Sequence, residues 1–189
     1  MLNQATKSLL RIVKPNAMIL AAAQLRQAME LRQIISACDQ VGHSMTILAL
    51  YRTALETLMK GLWWLYHSPE FDTVNNAYAA LSPMSFSDLI RLCDADLGTE
   101  VFGSILLWKP KYGIAQLKDV INPACHGDAM AATMLTIGPK REHEVAPHAM
   151  LCSMYEEALS FVVCVYRSFG FYVSLDEGTV EEPQMEMVG

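Results

Sequence analysis

The chain has 189 residues, 52% of them hydrophobic and only 18% charged, with a formal net charge of −6. That length supports one domain with a real core, and the apolar surplus points to a buried helix, a homo-oligomer interface, or both. An acidic balance argues against a general nucleic-acid binder.

No run of the sequence reaches the roughly 18 uncharged apolar residues that a membrane span needs. Arg52, Glu56 and Lys60 break one candidate, and Glu156 and Glu157 break another. The N-terminal Lys7, Arg11 and Lys14 precede a seven-residue apolar run, Ala17–Ala23, which is minimal for a signal peptide. The expectation is a cytoplasmic protein. Cys38, Cys93, Cys125, Cys152 and Cys164 include no CxxC pair and are odd in number. They read as buried free thiols and not as a disulfide or zinc framework. No metal site and no cofactor is expected.

In chain order, residues 2–14 carry Leu9, Leu10, Ile12 and Val13 on a short amphipathic helix that Pro15 ends. Asn16 then reads as the N-cap of a long helix to about Cys38, with Gly42 as the break. Ser44–Tyr66 is the most apolar helix, with Leu48, Tyr51, Leu55, Leu58, Leu62 and Tyr66 on a wide apolar arc. Arg52, Glu56, Trp63 and His67 share another arc, with Lys60 beside them. A helix this apolar sits centrally, so the Arg52–Glu56 pair is expected to be partly buried and to need partners.

Ser68-Pro69-Glu70 reads as the capped start of a helix to about Leu81, which Ser82-Pro83 breaks. Ser85 or Ser87 caps a helix over Asp88–Ala95, and Gly98 and Gly103 bracket a short apolar piece, Val101–Trp108. Lys109-Pro110-Lys111 is a turn before a helix to about Ile137. Within that helix, at about 100° per residue, Asp119, Asn122 and His126 share one narrow face. Ile114, Leu117, Ile121, Ala124 and Cys125 share the opposite face. Pro123 either kinks this helix or starts a new one with Asn122 as N-cap. Residues 138–144 form a charged loop, and Pro147 opens a last long helix to about Phe171. That helix offers Leu151, Tyr155, Leu159, Val162, Val163 and Tyr166 to the core. Strand signals are too few for a sheet and there is no convincing hairpin. The prediction is an all-α, up-and-down helical bundle of about five or six principal helices. Residues 1–175 make a single helical domain, and 176–189 make a mobile acidic tail.

Arg52 with Glu56, then Gly61-Leu62-Trp63, then Asn122, His126 and Gly127 form a pattern over roughly residues 40–135. It resembles a group of bacterial helical proteins with an Arg-x-x-x-Glu step, a Gly-Leu-Trp step and an Asn-x-x-x-His-Gly step. That resemblance implies a helical bundle and no particular activity. More distantly, Asn122-x-x-x-His126 is similar to part of the HEPN superfamily motif. The HEPN resemblance implies helical domains that often dimerise, many of them metal-independent ribonucleases. The Arg expected just before the polar residue is Ile121 here, so the charge that would stabilise a phosphorane-like transition state must come from elsewhere. Arg52 could supply it if the two helices pack together.

Several chemical readings follow, each beside a structural one. His126 either acts as a general acid/base or locks two helices by bonding Asp119 or Glu56. His126, Asp128, Glu142 and His143 could bind a metal only if a loop brought them together. Cys125 lies toward the apolar face and reads as an inert thiol. Trp63 and Trp64 read as core or interface residues ahead of a stacking platform.

The polar cluster of interest is Arg52, Glu56, Asp119, Asn122 and His126. The first functional reading is a non-enzymatic helical interaction or regulatory protein. Such a protein would be homodimeric, would bind a protein partner, and would suit an antitoxin, immunity or phage-defence role. The alternatives are an HEPN-like metal-independent ribonuclease acting on RNA through His126, Asn122 and Arg52, and a small-ligand-binding bundle with the cluster lining a pocket.

Overall fold

The computed structural model describes residues 14–41, 43–106, 121, 125 and 147–183. Across them the chain is an all-α bundle with one short hairpin. The helices are α1 (Pro15–Gln40), α2 (Ser44–Tyr66), α3 (Val74–Leu81), α4 (Phe86–Leu97), α5 (Val101–Leu106) and α6 (Pro147–Ser168). The strands are β1 (Tyr172–Ser174) and β2 (Thr179–Glu181), which pair antiparallel. No helix among the described residues is long and apolar enough to cross a membrane. The predicted helix before Pro15, Gly42 and the charged loop 138–144 lie outside the described residues.

α2 is the helix the others pack on. From Leu62 to Tyr66 every residue is buried. A helix apolar on all sides needs neighbours on all sides, and α1, α4 and α6 supply them. α1 runs antiparallel to α2, so that Ala17 approaches Trp64 while Gln27 lies near Thr53. α6 runs alongside α2 in the same direction, with Tyr155 edge-on to Tyr51 at 6.2 Å. Tyr155 and Tyr166 donate hydrogen bonds to the backbone carbonyls of Ala28 and Ala21 across the α1–α6 contact, at 3.0 and 2.9 Å. Burial drives both phenol pKa values well up, so both stay neutral donors.

Small residues make this closeness possible. Ala21, Ala22 and Ala28 of α1 are fully buried. Gly61 of α2 sits where an added Cβ would collide with the Tyr166 hydroxyl and lie 3.3 Å from Gln24 Cβ. Glycine in a helix interior costs about 1 kcal/mol against alanine, and here it admits the tyrosine.

The local signals explain most boundaries. Ser85 and Asp88 form a full capping box at the start of α4. The Ser85 hydroxyl, with the Ser85 backbone N–H and Arg91, holds the Asp88 carboxyl below its ordinary range. Gly98 ends α4 in the left-handed region at φ 62°. The Asp94 carboxylate then accepts from the backbone N–H groups of Phe102 and Gly103, at 3.0 and 2.7 Å, and so caps α5 from the preceding helix. Gly103 therefore lies inside a helix and does not bracket one.

Other boundaries differ from expectation. α1 starts two residues early, with Lys14 as N-cap and Pro15 in the first turn, where its missing N–H costs nothing. Ser68–Glu70 is an isolated 3-10 turn, and Thr73 caps α3 by accepting from the Asn76 N–H. α6 ends at Ser168, just before Gly170 at φ 86°. Of the five thiols only Cys93 is buried, and Cys164 is exposed, because α6 turns that position away from the core.

Residues 176–183, expected within a mobile tail, are docked. Val173 and Val180 face each other across the hairpin and are both buried. Arg26 donates twice to the Val180 carbonyl and pairs with Glu182 at 3.0 Å. Arg32 donates to the Leu175 carbonyl, and Arg167 to that of Val173. Three guanidinium groups thus satisfy carbonyls that a two-stranded hairpin leaves unpaired.

The Gly61–Tyr166 approach gives a direct test. Gly61→Ala should lower stability to urea by about 1–3 kcal/mol through overpacking. In a Tyr166→Phe background the penalty should fall toward zero, because the gain in helix propensity is then no longer opposed. An unchanged penalty in that background would contradict the contact.

Candidate functional site

Asp119, Asn122 and His126 lie outside the described residues, as do Asp128, Glu142 and His143. The described part of the predicted cluster is Arg52 and Glu56. They stand one helical turn apart on α2, which brings i and i+4 side chains together. Their groups are 3.8 Å apart and about a quarter exposed. Lys60, one turn further, holds the other Glu56 oxygen at 2.9 Å. The Arg52 guanidinium also lies over the Phe86 ring, 5.3 Å from its centroid, at the start of α4. That cation–π contact ties α2 to α4.

The same stripe continues down α2. Trp63 is buried and stacks on the His67 ring at 5.8 Å, with Phe71 at 6.0 Å and Trp64 edge-on at 5.2 Å. Trp63 and Trp64 are each 2% exposed and belong to the core. His67 Nε2 donates to Asp96 Oδ2 at 2.6 Å, both side chains being about a quarter exposed. Burial, and then the Asp96 charge, push the neighbouring Tyr66 phenol up to about 12. Arg52 with Phe86, the Cys93 thiol on the Met59 carbonyl, and His67 with Asp96 form three successive clasps between α2 and α4. Those clasps make α4 run parallel to α2.

On its other flank the stripe borders a cleft. Gln24 and Gln27 of α1 form one wall, and Thr53, Glu56 and Lys60 of α2 form the other. Its volume is about 360 Å³, and Tyr78 of α3 stands exposed at its mouth. Among the described residues no group of three or more histidines, cysteines or carboxylates is placed to hold a metal ion.

Ile121 is helical and fully buried, and Cys125, one turn on, is helical and half-buried. The position where the HEPN pattern has arginine is thus committed to core packing. The His67–Asp96 pair escaped sequence reasoning, since the residues are 29 apart in the chain and no local spacing joins them. His67 was visible on the α2 arc, but its partner was not.

The class that the described residues define is an all-α helical bundle with an ionic stripe along its central helix. No family model, no curated protein and no solved structure matches the chain.

If the His67–Asp96 bond is a structural clasp, a double-mutant cycle with His67→Gln and Asp96→Asn should show a coupling of about 1 kcal/mol in thermal or urea unfolding. Additive single effects would contradict the clasp.

Proposed function

We propose that this chain works by binding and not by catalysis, as a helical interaction protein that pairs with a second copy of itself. The observation that carries the proposal is the outward face of α1. Ile19, Ile34 and Val41 are 54%, 48% and 66% exposed there. Ala23, Gln27, Glu30 and Ala37 lie between them on the same exposed stripe. Large apolar side chains lined up on one exposed helix face mark a contact surface.

Charge favours a second copy as occupant. Each chain carries −6, and this stripe has Glu30 as its sole charge, so repulsion between copies is least here. Ala23 and Ala37 are small residues on this stripe and permit close approach of a partner helix.

The ionic stripe of α2 supports the non-catalytic half of the proposal. Arg52 engages Glu56 and Phe86, Glu56 engages Lys60, and His67 engages Asp96. Arg52 and His67 tie α2 to α4, whereas the pairs of Glu56 with Arg52 and Lys60 lie within α2. Size, acidity and apolar excess fit a regulatory component that also takes a protein partner, as an antitoxin, immunity or defence-associated protein does. The alternative HEPN-like ribonuclease would need Arg52 to serve His126 in place of Ile121.

Size-exclusion chromatography with light scattering tests the proposal. Wild type should elute as a dimer. Ile19→Glu with Ile34→Glu should give a monomer with unchanged helical circular dichroism, because both sites are exposed. A monomeric wild type, or a dimer indifferent to both changes, would overturn it.

A further inference from the structure

We propose that the cleft between α1, α2 and α3 binds a small zwitterion of the α-amino-acid kind, with its carboxylate on Lys60 and its ammonium on Glu56. Gln27 lies at the edge of both this cleft and the outward face of α1, but Glu56 and Lys60 do not belong to that face, so their substitution tests the site separately from dimerisation.

The cleft measures about 360 Å³, within the lower range of ligand pockets, about 300–1,000 Å³. Among its described lining residues Glu56 and Lys60 are the only charged groups. They carry opposite charges and stand 2.9 Å apart. A simple anion would gain Lys60 but face Glu56, and a simple cation would meet the reverse. A molecule carrying both an ammonium and a carboxylate on one carbon meets both. On entry it replaces one ion pair by two, and no net charge is brought into a half-buried place.

The neighbours suit this exchange. Arg52 stays beside Glu56 when Lys60 turns to the ligand, so the carboxylate keeps a cationic neighbour. The Lys60 side chain is 37% exposed, on a flexible stem with three donors. Gln24 and Gln27 line the cleft from α1, and a carboxamide can both donate and accept. Leu81 and Met84 line the cleft from α3 and the turn after it, giving an aliphatic side group an apolar contact. The groove beside Arg32 and Glu156, about 300 Å³, lacks this fit. Arg32 is held there by Glu156 at 2.6 Å and by the Leu175 carbonyl. The Glu156 bond raises its pKa above the ordinary arginine value.

Isothermal titration calorimetry of the full chain tests the proposal. The probes are leucine, methionine and glutamine, with isocaproic acid and isoamylamine as leucine lacking one charge each. At least one amino acid should bind, and neither half-molecule should. Lys60→Met and Glu56→Gln should each weaken binding about tenfold or more, the loss expected for a charged hydrogen bond. Gln27→Ala, which disturbs no ion pair, should weaken it too, while Tyr172→Ser, remote from the cleft, should not. Absence of binding by all three amino acids would overturn the proposal. So would equal binding of isocaproic acid, which would mark a plain anion site. Binding indifferent to both charge substitutions in folded protein would place the ligand elsewhere.

Discussion

The architecture depends on one crossing, where the Tyr166 hydroxyl reaches the Ala21 carbonyl past Gly61. Three helices meet at that point, and each contributes what the others require. α6 brings a long side chain with a polar end, α1 brings an accepting carbonyl, and α2 brings the absence of a side chain. The hydroxyl is fully buried, so it would be costly without its acceptor. The acceptor is reached only because Gly61 leaves the path open. Around this crossing α2 becomes the centre of the bundle. The same contact presses Gln24 against Gly61 and so fixes one wall of the polar cleft.

With α2 central, its few charges have nowhere remote to go. Arg52, Glu56, Lys60 and His67 follow each other at helical spacing and meet neighbours already in place. One edge of the stripe is used to hold α4. The other edge opens on the cleft, where Glu56 and Lys60 are half-accessible. The Glu56–Lys60 pair can serve as a recognition element, because a ligand with both charges can exchange one pair for two. That is the physical ground for reading this bundle as a binder.

Much of the fold was legible in the sequence. The Ser44–Tyr66 helix, the Ser85 cap and the inward residues of α6 follow from periodicity and capping chemistry, which are local. The expected Arg52–Glu56 pairing is likewise an i, i+4 relation. What could not be read depends on partners far along the chain. Nothing near Tyr172–Glu181 foretells a hairpin, since each strand has three residues and takes its support from Arg26, Arg32 and Arg167. Asp96 as the partner of His67, and Asp94 as the cap of α5, are likewise tertiary facts. The start of α1 was misplaced because Pro15 suits either side of a helix boundary, and its neighbours Lys14 and Asn16 do not decide the matter. Asp119, Asn122 and His126, three of the five residues of the predicted polar cluster, lie outside the described residues.

The central claim is that this protein binds and does not cut. The most direct test is an RNA-cleavage assay on purified protein with EDTA present, comparing wild type with His126→Ala. The account predicts no cleavage by either protein. Cleavage by wild type that persists in EDTA and disappears in His126→Ala would contradict it, and would make the histidine of the Asn-x-x-x-His step a general acid/base in a metal-independent ribonuclease.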